Sequence, residues 1–253
     1  MKIAVTGCSG FVGSELIKKL LLDNSNTIVH LSSSIKSKNY NFWQADMPPV
    51  ESAKLLKNCD MLIHLAAHIP AKQDDFEEAS KCLKINTLGT LSMLRACILA
   101  NVKRFVYISS FNIFSYEDKK NNSKIASCNN APYYLGSKLL GEIYVKSKNF
   151  SQLSTLIIRP SSIYGYQMKS GVLKVLIDKL IKKEEIILNN NGEYKSDFLY
   201  LSDCVAAIKE LSLSNYIGEV DIGSGVTTNI LAITNYIAEI LSVKKKYYTS
   251  SKK

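Results

Sequence analysis

Apolar and polar positions along the chain change period repeatedly, and the changes mark the elements. Residues 2–6 (KIAVT) are a short apolar run rich in β-branched side chains, the pattern of a strand buried on both faces. After a glycine-rich turn, GSELIKKLLL repeats every three to four positions, as an amphipathic helix does. TIVHL, MLIHLAA, RFVYISS and STLIIRP repeat the strand signature. Helical patterns separate them: ESAKLLKN, one long helix over about 75–100, and another over 132–148. Residues 115–131 are rich in Asn, Ser and Lys and read as a loop. Strands alternating with helices predict βαβ units, right-handed crossovers and a doubly wound parallel sheet. Beyond residue 160 the rhythm loosens into helices (GVLKVLIDKLIKK, CVAAIKELS, ILAITNYIAEIL) and short strand candidates (EIIL, DFLYL, EVDIG). The expected organisation is an α/β domain over 1–160 and a smaller lobe over 161–253, partly interleaved with it. The lobe should pack against the carboxyl ends of the strands, where such folds bind ligands.

Composition narrows the classes. A chain of 253 residues, 46% hydrophobic, can bury a full core. No apolar run reaches the ~20 residues of a membrane span. The N-terminus enters a strand at once, with no signal-peptide pattern, so a cytoplasmic location and no membrane partner are expected. The six cysteines are scattered without a CxxC pair, the pattern of reduced thiols rather than of a disulfide or metal framework. The net charge of +10 comes from dispersed lysines with only three arginines. No basic stripe is interleaved with aromatics, so a solvated basic surface is expected and no nucleic-acid partner. Such a surface suits a substrate carrying a diphosphate.

The first turn carries chemistry. In TGCSGFVG, Gly7, Gly10 and Gly13 stand three apart between a strand and a helix. Gly7 permits the tight turn, Gly10 lets the backbone approach a pyrophosphate, and Gly13 lets helix and strand pack closely. The helix start at Phe11 and Val12 then presents its amides to the anion. This is the Rossmann-type dinucleotide cradle. The end of the second strand should read the adenosine ribose. An acidic residue there would select NAD, but this chain has Ser32, followed by Ser33 and, further on, Lys36 and Lys38. Those residues suit a 2′-phosphate, so NADP(H) is favoured over NAD(H).

Four Tyr-Lys pairs stand four residues apart: Tyr116/Lys120, Tyr134/Lys138, Tyr144/Lys148 and Tyr248/Lys252. On a helix each would place a phenol and an ammonium on one face. A nearby cation lowers a phenol's pKa and fits it for acid–base work on a carbonyl.

The ordered set of motifs resembles the extended short-chain dehydrogenase/reductase family, the nucleotide-sugar epimerases, dehydratases and reductases. TGCSGFVG, the QADM segment with Asp46 and Met47, HLAA with Leu65, Ala66 and Ala67, INTLGTLSML with Asn86, RFVYISS, RPSSIYG with Pro160 and Ser161, SDFLYLSDCVAAI and DIGSG are similar to its elements in order. The match runs from residue 2 to about 233. In the resemblance Asp46 binds the adenine, the segments around Met47, Leu65–Ala67 and Pro160 line the cofactor, and Asn86 is structural and near the active site, among the expected cofactor contacts. YLGSKLLGE resembles the family's catalytic helix and selects Tyr134/Lys138 among the four pairs.

The resemblance implies a Ser-Tyr-Lys mechanism. Tyr134 exchanges the proton of a sugar carbonyl or hydroxyl, Lys138 binds the nicotinamide ribose and lowers the tyrosine pKa, and Ser110 orients the same oxygen. Ser110 is chosen over Ser109 by counting back from Phe114–Ser115, which stand in place of the family's Tyr-Gly. The dehydratases carry Asp-Glu after that serine, whereas this chain has Phe111–Asn112, leaving a 4-ketoreductase or a 4-epimerase. Ser110, Asn112, Ser161, Lys195 and Ser196 are the expected substrate contacts. Ser196 replaces an arginine that in the family commonly holds the nucleotide diphosphate, and Asp221 replaces an asparagine. About thirty residues follow GSG, fewer than in relatives, so a reduced C-terminal substrate lobe is expected. That lobe keeps open a non-catalytic NADP-binding sensor or scaffold. Helices near 75–100 and 133–148 resemble the family's dimer-forming bundle, so a homodimer is expected.

Overall fold

The element boundaries follow the apolar runs. A computed structural model of the 253-residue chain describes all residues except 35–38, 73, 119–122, 127, 129–130, 244–246 and 251–253. In chain order the first elements are β1 (Lys2–Thr6), α1 (Phe11–Leu20), β2 (Thr27–Ser32), β3 (Tyr40–Phe42), α2 (Pro49–Leu55), β4 (Met61–His64), α3 (Phe76–Cys82) and α4 (Gly89–Leu99). They are followed by β5 (Arg104–Ile108), β6 (Phe114–Asp118), β7 (Ser123–Ala126), α5 (Pro132–Val145) and β8 (Ser154–Pro160). The remainder comprises β9 (Ser162–Tyr164), α6 (Val172–Lys182), β10 (Ile186–Asn189), β11 (Lys195–Tyr200), α7 (Leu201–Leu213), β12 (Gly218–Ile222), β13 (Thr227–Asn229), α8 (Ile230–Ile240) and β14 (Tyr247–Ser250).

The chain divides into two units, Met1–Pro160 with Val205–Ile222, and Ser161–Cys204 with Gly223–Lys253. The first unit holds a seven-stranded sheet in the order β12-β8-β5-β4-β1-β2-β3. Every neighbouring pair in it is parallel. Such a sheet is covered on both faces, which explains the unbroken apolar runs. All four residues of β4 are buried, as are the last four of β5. The chain order reverses between β1 and β4, so the crevice beyond their carboxyl ends is the topological switch point. The second unit has its own small core, where Leu176 and Leu180 of α6 meet Ile186, Leu188 and Ala238.

Three expectations change. EVDIG, read with the smaller lobe, supplies the edge strand β12 on β8 in the first unit. The loop expected over 115–131 begins with an antiparallel pair, β6 on β7. The single helix expected over 75–100 is continuous but not uniform: between α3 and α4, residues Leu83–Leu88 form a π-helical segment. Local sequence does not separate these hydrogen-bond patterns, and π-segments cluster at functional sites. The stretch Phe76–Leu99 has the length and composition of a membrane span, yet half of it is buried within the fold. Asn86, Thr87, Thr90, Met93 and Leu94 are among its buried residues, so it serves as a core helix. All six cysteines are free thiols and five are buried.

Candidate active site

The turn after β1 is built to approach a ligand closely. Gly7 has φ +68°, and a Cβ there would lie 2.8 Å from the amide nitrogen of Ala66. Gly10 donates its amide to the Gly7 carbonyl at 2.9 Å. A Cβ on Gly13 would collide with that same carbonyl. Gly10 caps α1 without a side-chain hydrogen bond, and the first intrahelical bond runs from the Ser14 amide to the Gly10 carbonyl. The amides of Phe11, Val12 and Gly13 therefore lie at the open helix start, a ready site for phosphate oxygens. These residues fit the pyrophosphate of a dinucleotide. Across the crevice, Thr6 Oγ1 accepts from the Ala66 amide at 3.2 Å and bonds His64 Nδ1 at 2.8 Å, fastening the Leu65–Ala66–Ala67 turn to β1.

The adenosine side is less direct. Ser32 is buried, and its hydroxyl bonds Ser9 Oγ at 2.8 Å and accepts from the Ser34 amide at 3.1 Å. Ser33 is exposed, and Lys36 lies outside the described residues. Asp46 is exposed and ion-paired with Lys84 Nζ at 2.7 Å, which lowers its pKa. Met47 packs against the main core, and its carbonyl accepts from Ser92 Oγ.

Lys138 reaches the end of β5, next to the turn that begins at Ser110. Helix α5 packs on the Phe111–Ile113 turn, and Ser110 caps that turn by accepting from the Asn112 amide at 3.4 Å. Asn112 itself is exposed. Lys138 is 1% exposed; its Nζ donates to the Ile108 carbonyl at 2.5 Å and sits 4.2 Å from the centre of the Tyr107 ring. Burial pushes the Lys138 ammonium down to about 7, with Glu142 pulling the other way. Tyr134 is partly buried, and desolvation raises its phenol to about 12, Cys82 adding to the rise. The lowering of Tyr134 by Lys138 is thus not what the protein's own groups produce: burial outweighs the cation, whose ammonium is turned to Ile108 and Tyr107.

Asn86, expected among the cofactor contacts, has its side chain committed inside the protein. Its Oδ1 accepts from the His68 amide at 2.7 Å, and its Nδ2 donates to the His68 carbonyl at 3.0 Å and to Ser137 Oγ at 2.9 Å. Ser137 in turn donates to the Tyr134 carbonyl at 2.8 Å. The π-helical segment thereby ties the loop after β4 to the catalytic helix. Glu78 fixes the same loop by accepting from the Ala71 amide and His68 Nε2, and Lys81 first, then these donors, hold its carboxyl down to about 2. Asn86→Ala removes the side-chain partner of the part-buried His68 amide and carbonyl and of Ser137, and is expected to cost about 1–2 kcal/mol, read as a lower urea midpoint. An unchanged midpoint would show that the hub carries no stability.

Two further groups escape the motif reading. Tyr107 Oη donates to the Lys138 carbonyl at 3.3 Å, and Gly141 has no side chain because Tyr107 Oη fills that space. His64 is buried against Trp43, Phe105 and Tyr107, and desolvation, with Lys138 adding, lowers it to about 3, so it is neutral. Pro160 is buried at the end of β8.

The remaining expected contacts lie in the second unit. Ser161 Oγ donates to Asp197 Oδ1 at 3.0 Å, and Asp197 also accepts from the amides of Ser224 and Gly225, holding the GSG turn. The Ser196 hydroxyl is buried in a 2.8 Å bond with Ser162 Oγ. Lys195 is exposed.

A parallel sheet with a glycine-rich strand–turn–helix unit at its switch point is the fold of an α/β nucleotide-dependent enzyme. The family described as NAD dependent epimerase/dehydratase matches residues 3–216. The chain belongs to that family, within the extended short-chain dehydrogenase/reductases. Its relatives include a Bacillus subtilis protein named as the uncharacterized UDP-glucose epimerase YtcB, 26% identical over all of this chain and 86% of that protein. A putative UDP-glucose 4-epimerase of Methanocaldococcus jannaschii is 29% identical over 90% of this chain and 78% of that protein. Among solved structures, UDP-glucuronic acid 4-epimerase from Bacillus cereus, in complex with UDP-glucuronic acid and NAD, superposes with a TM-score of 0.84 at 24% identity. The match covers 99% of this chain and 86% of that one.

Proposed function

We propose that the protein is a nucleotide-sugar oxidoreductase acting at a sugar C4, as a 4-epimerase or a 4-ketoreductase, through Ser110, Tyr134 and Lys138. The observation that supports this reading is the packing of α5, the helix of Tyr134 and Lys138, on the turn after Ser110, with Lys138 buried on the Ile108 carbonyl. A bound nicotinamide would supply the hydride acceptor and donor. Gly7, Gly10, Phe11, Val12 and Gly13 hold the pyrophosphate. Lys138 orients the ribose, Ser110 donates to the sugar oxygen, and Tyr134 takes or returns its proton. Phe111 and Asn112 offer no acid–base pair for eliminating water, which speaks against a dehydratase. The two relatives named above point to an epimerase and UDP-sugars, while others are named dTDP-D-glucose 4,6-dehydratase. Buried free thiols agree with a reducing, cytoplasmic setting. The exposed apolar residues Leu83, Leu88, Leu99, Leu140 and Ile143, on helices that pack together, suit a homodimer. Sedimentation of the purified protein tests that reading, and a monomer at micromolar concentration overturns it.

A second reading, a reductase consuming NADPH, rests on Ser32. Nothing anionic stands there to repel a 2′-phosphate, and Ser33 is exposed beside it. NADPH is expected to bind at least as tightly as NADH in a fluorescence titration. A tenfold preference for NADH would reject this reading and leave the epimerase.

A further inference from the structure

Lys138 is a buried ammonium with little compensating charge around it. The titratable groups facing it are His64 from β4, Tyr107 from β5, and Tyr134 and Glu142 from its own helix, with Cys82 of α3 beside Tyr134. His64 is neutral and both phenols are protonated near neutral pH. Glu142, one helical turn from Lys138, is the one anion of the set. It is fully buried, and both its oxygens meet Arg159, Oε1 at 2.8 Å from Nε and Oε2 at 2.6 Å from a terminal nitrogen. Alone, that pair would largely cancel its own field. Arg159, however, also pairs with Glu219 and with Asp221 of β12, the latter at 3.4 Å, while Phe114 stacks 4.7 Å from its guanidinium carbon. Lys146 closes the chain on Glu219 at 3.1 Å. Arg159 is thus shared between Glu142, Glu219 and Asp221 and is not committed to Glu142 alone.

We propose that Glu142 is a positioning residue for the reaction: its carboxylate, fixed by Arg159, keeps Lys138 protonated in its buried site, and Glu219 and Asp221 prevent Arg159 from cancelling that field. The proposal rests on the Ser-Tyr-Lys reading for its catalytic meaning, but the electrostatic claim stands on the protein alone. A lysine charge maintained this way keeps its ribose-binding donor available at neutral pH.

The test is a pH titration of the lysine ε-carbon by NMR in isotopically labelled protein, with the Lys138 signal assigned from its loss in Lys138→Met. In Glu142→Gln, an isostere still able to bond Arg159, the Lys138 midpoint is expected about one pH unit lower. Glu142→Asp keeps the charge with altered packing and should stay near wild type. Glu219→Gln, at a partly exposed carboxylate, should move Lys138 in the same direction by a smaller amount, and it decides the matter if Glu142→Gln does not fold. A Lys138 midpoint unmoved by Glu142→Gln, or by Glu219→Gln in that case, overturns the proposal. So does an equal displacement in Glu142→Asp, which would mark a packing role. The alkaline limb of turnover should follow the NMR midpoint. Wild-type protein that turns over no sugar while Lys138 responds as stated overturns the functional reading and upholds this one.

Discussion

Tyr134→Phe is expected to lower kcat by about three orders of magnitude while leaving cofactor affinity and the thermal midpoint almost unchanged. The substitution removes one hydroxyl and nothing else. The Tyr134 carbonyl, which receives the Ser137 hydroxyl, is retained. The loss should therefore fall on the step in which a proton leaves or joins the sugar oxygen. With burial raising the phenol to about 12 even with Lys138 in place, a bound oxidised nicotinamide would have to supply the further positive charge that makes the tyrosinate accessible. Single-turnover kinetics with a UDP-sugar check the loss. Turnover within tenfold of wild type would remove Tyr134 from the chemistry.

Gly13→Ala should be as damaging to binding. The added methyl would collide with the Gly7 carbonyl, which is backbone and has no rotamer to give. That carbonyl already accepts the Gly10 amide, so the turn cannot move without opening its own bond. Helix α1 must lift from β1, and the amides of Phe11, Val12 and Gly13 leave the phosphate position. We expect a loss of cofactor affinity of about a hundredfold and destabilisation of about 1–3 kcal/mol from overpacking. Isothermal titration of the folded variant checks this, and wild-type affinity would show that the cradle lies elsewhere. Gly136→Ala, where nothing lies within 4 Å of the added methyl, is the matched control in helix α5.

What the sequence revealed was mostly local. The strand–turn–helix unit was legible because Gly7, Gly10 and Gly13 act within one turn, and the helix carrying Tyr134 and Lys138 because its apolar period is local. The family's motifs then singled out that pair from three others with identical spacing. Long-range partners were not legible. Asn86 reaches partners 18 and 51 positions away, and Arg159 is held by residues 17, 60 and 62 positions distant. Periodicity carries no information on such pairings, so the partners through which Asn86 ties the loop after β4 to α5 could not be named from its motif. EVDIG reads as part of the smaller lobe because strand order, unlike strand identity, is not written in a five-residue run. The π-helical segment has the same apolar spacing as the helices flanking it. Ser161 and Ser196 stand where substrate contacts are expected, but their hydroxyls bond Asp197 and Ser162.

The central claim is that this chain interconverts a C4 alcohol and ketone on a nucleotide sugar. The most direct measurement is proton NMR of UDP-hexoses and UDP-hexuronates, and of a 4-keto nucleotide sugar, incubated with the protein and either NAD(H) or NADP(H). The account predicts a C4-epimer or a C4-reduced product with wild type and none with Tyr134→Phe. Saturable cofactor binding with no change in any of these sugars would contradict it and identify a binding protein on an enzyme's fold.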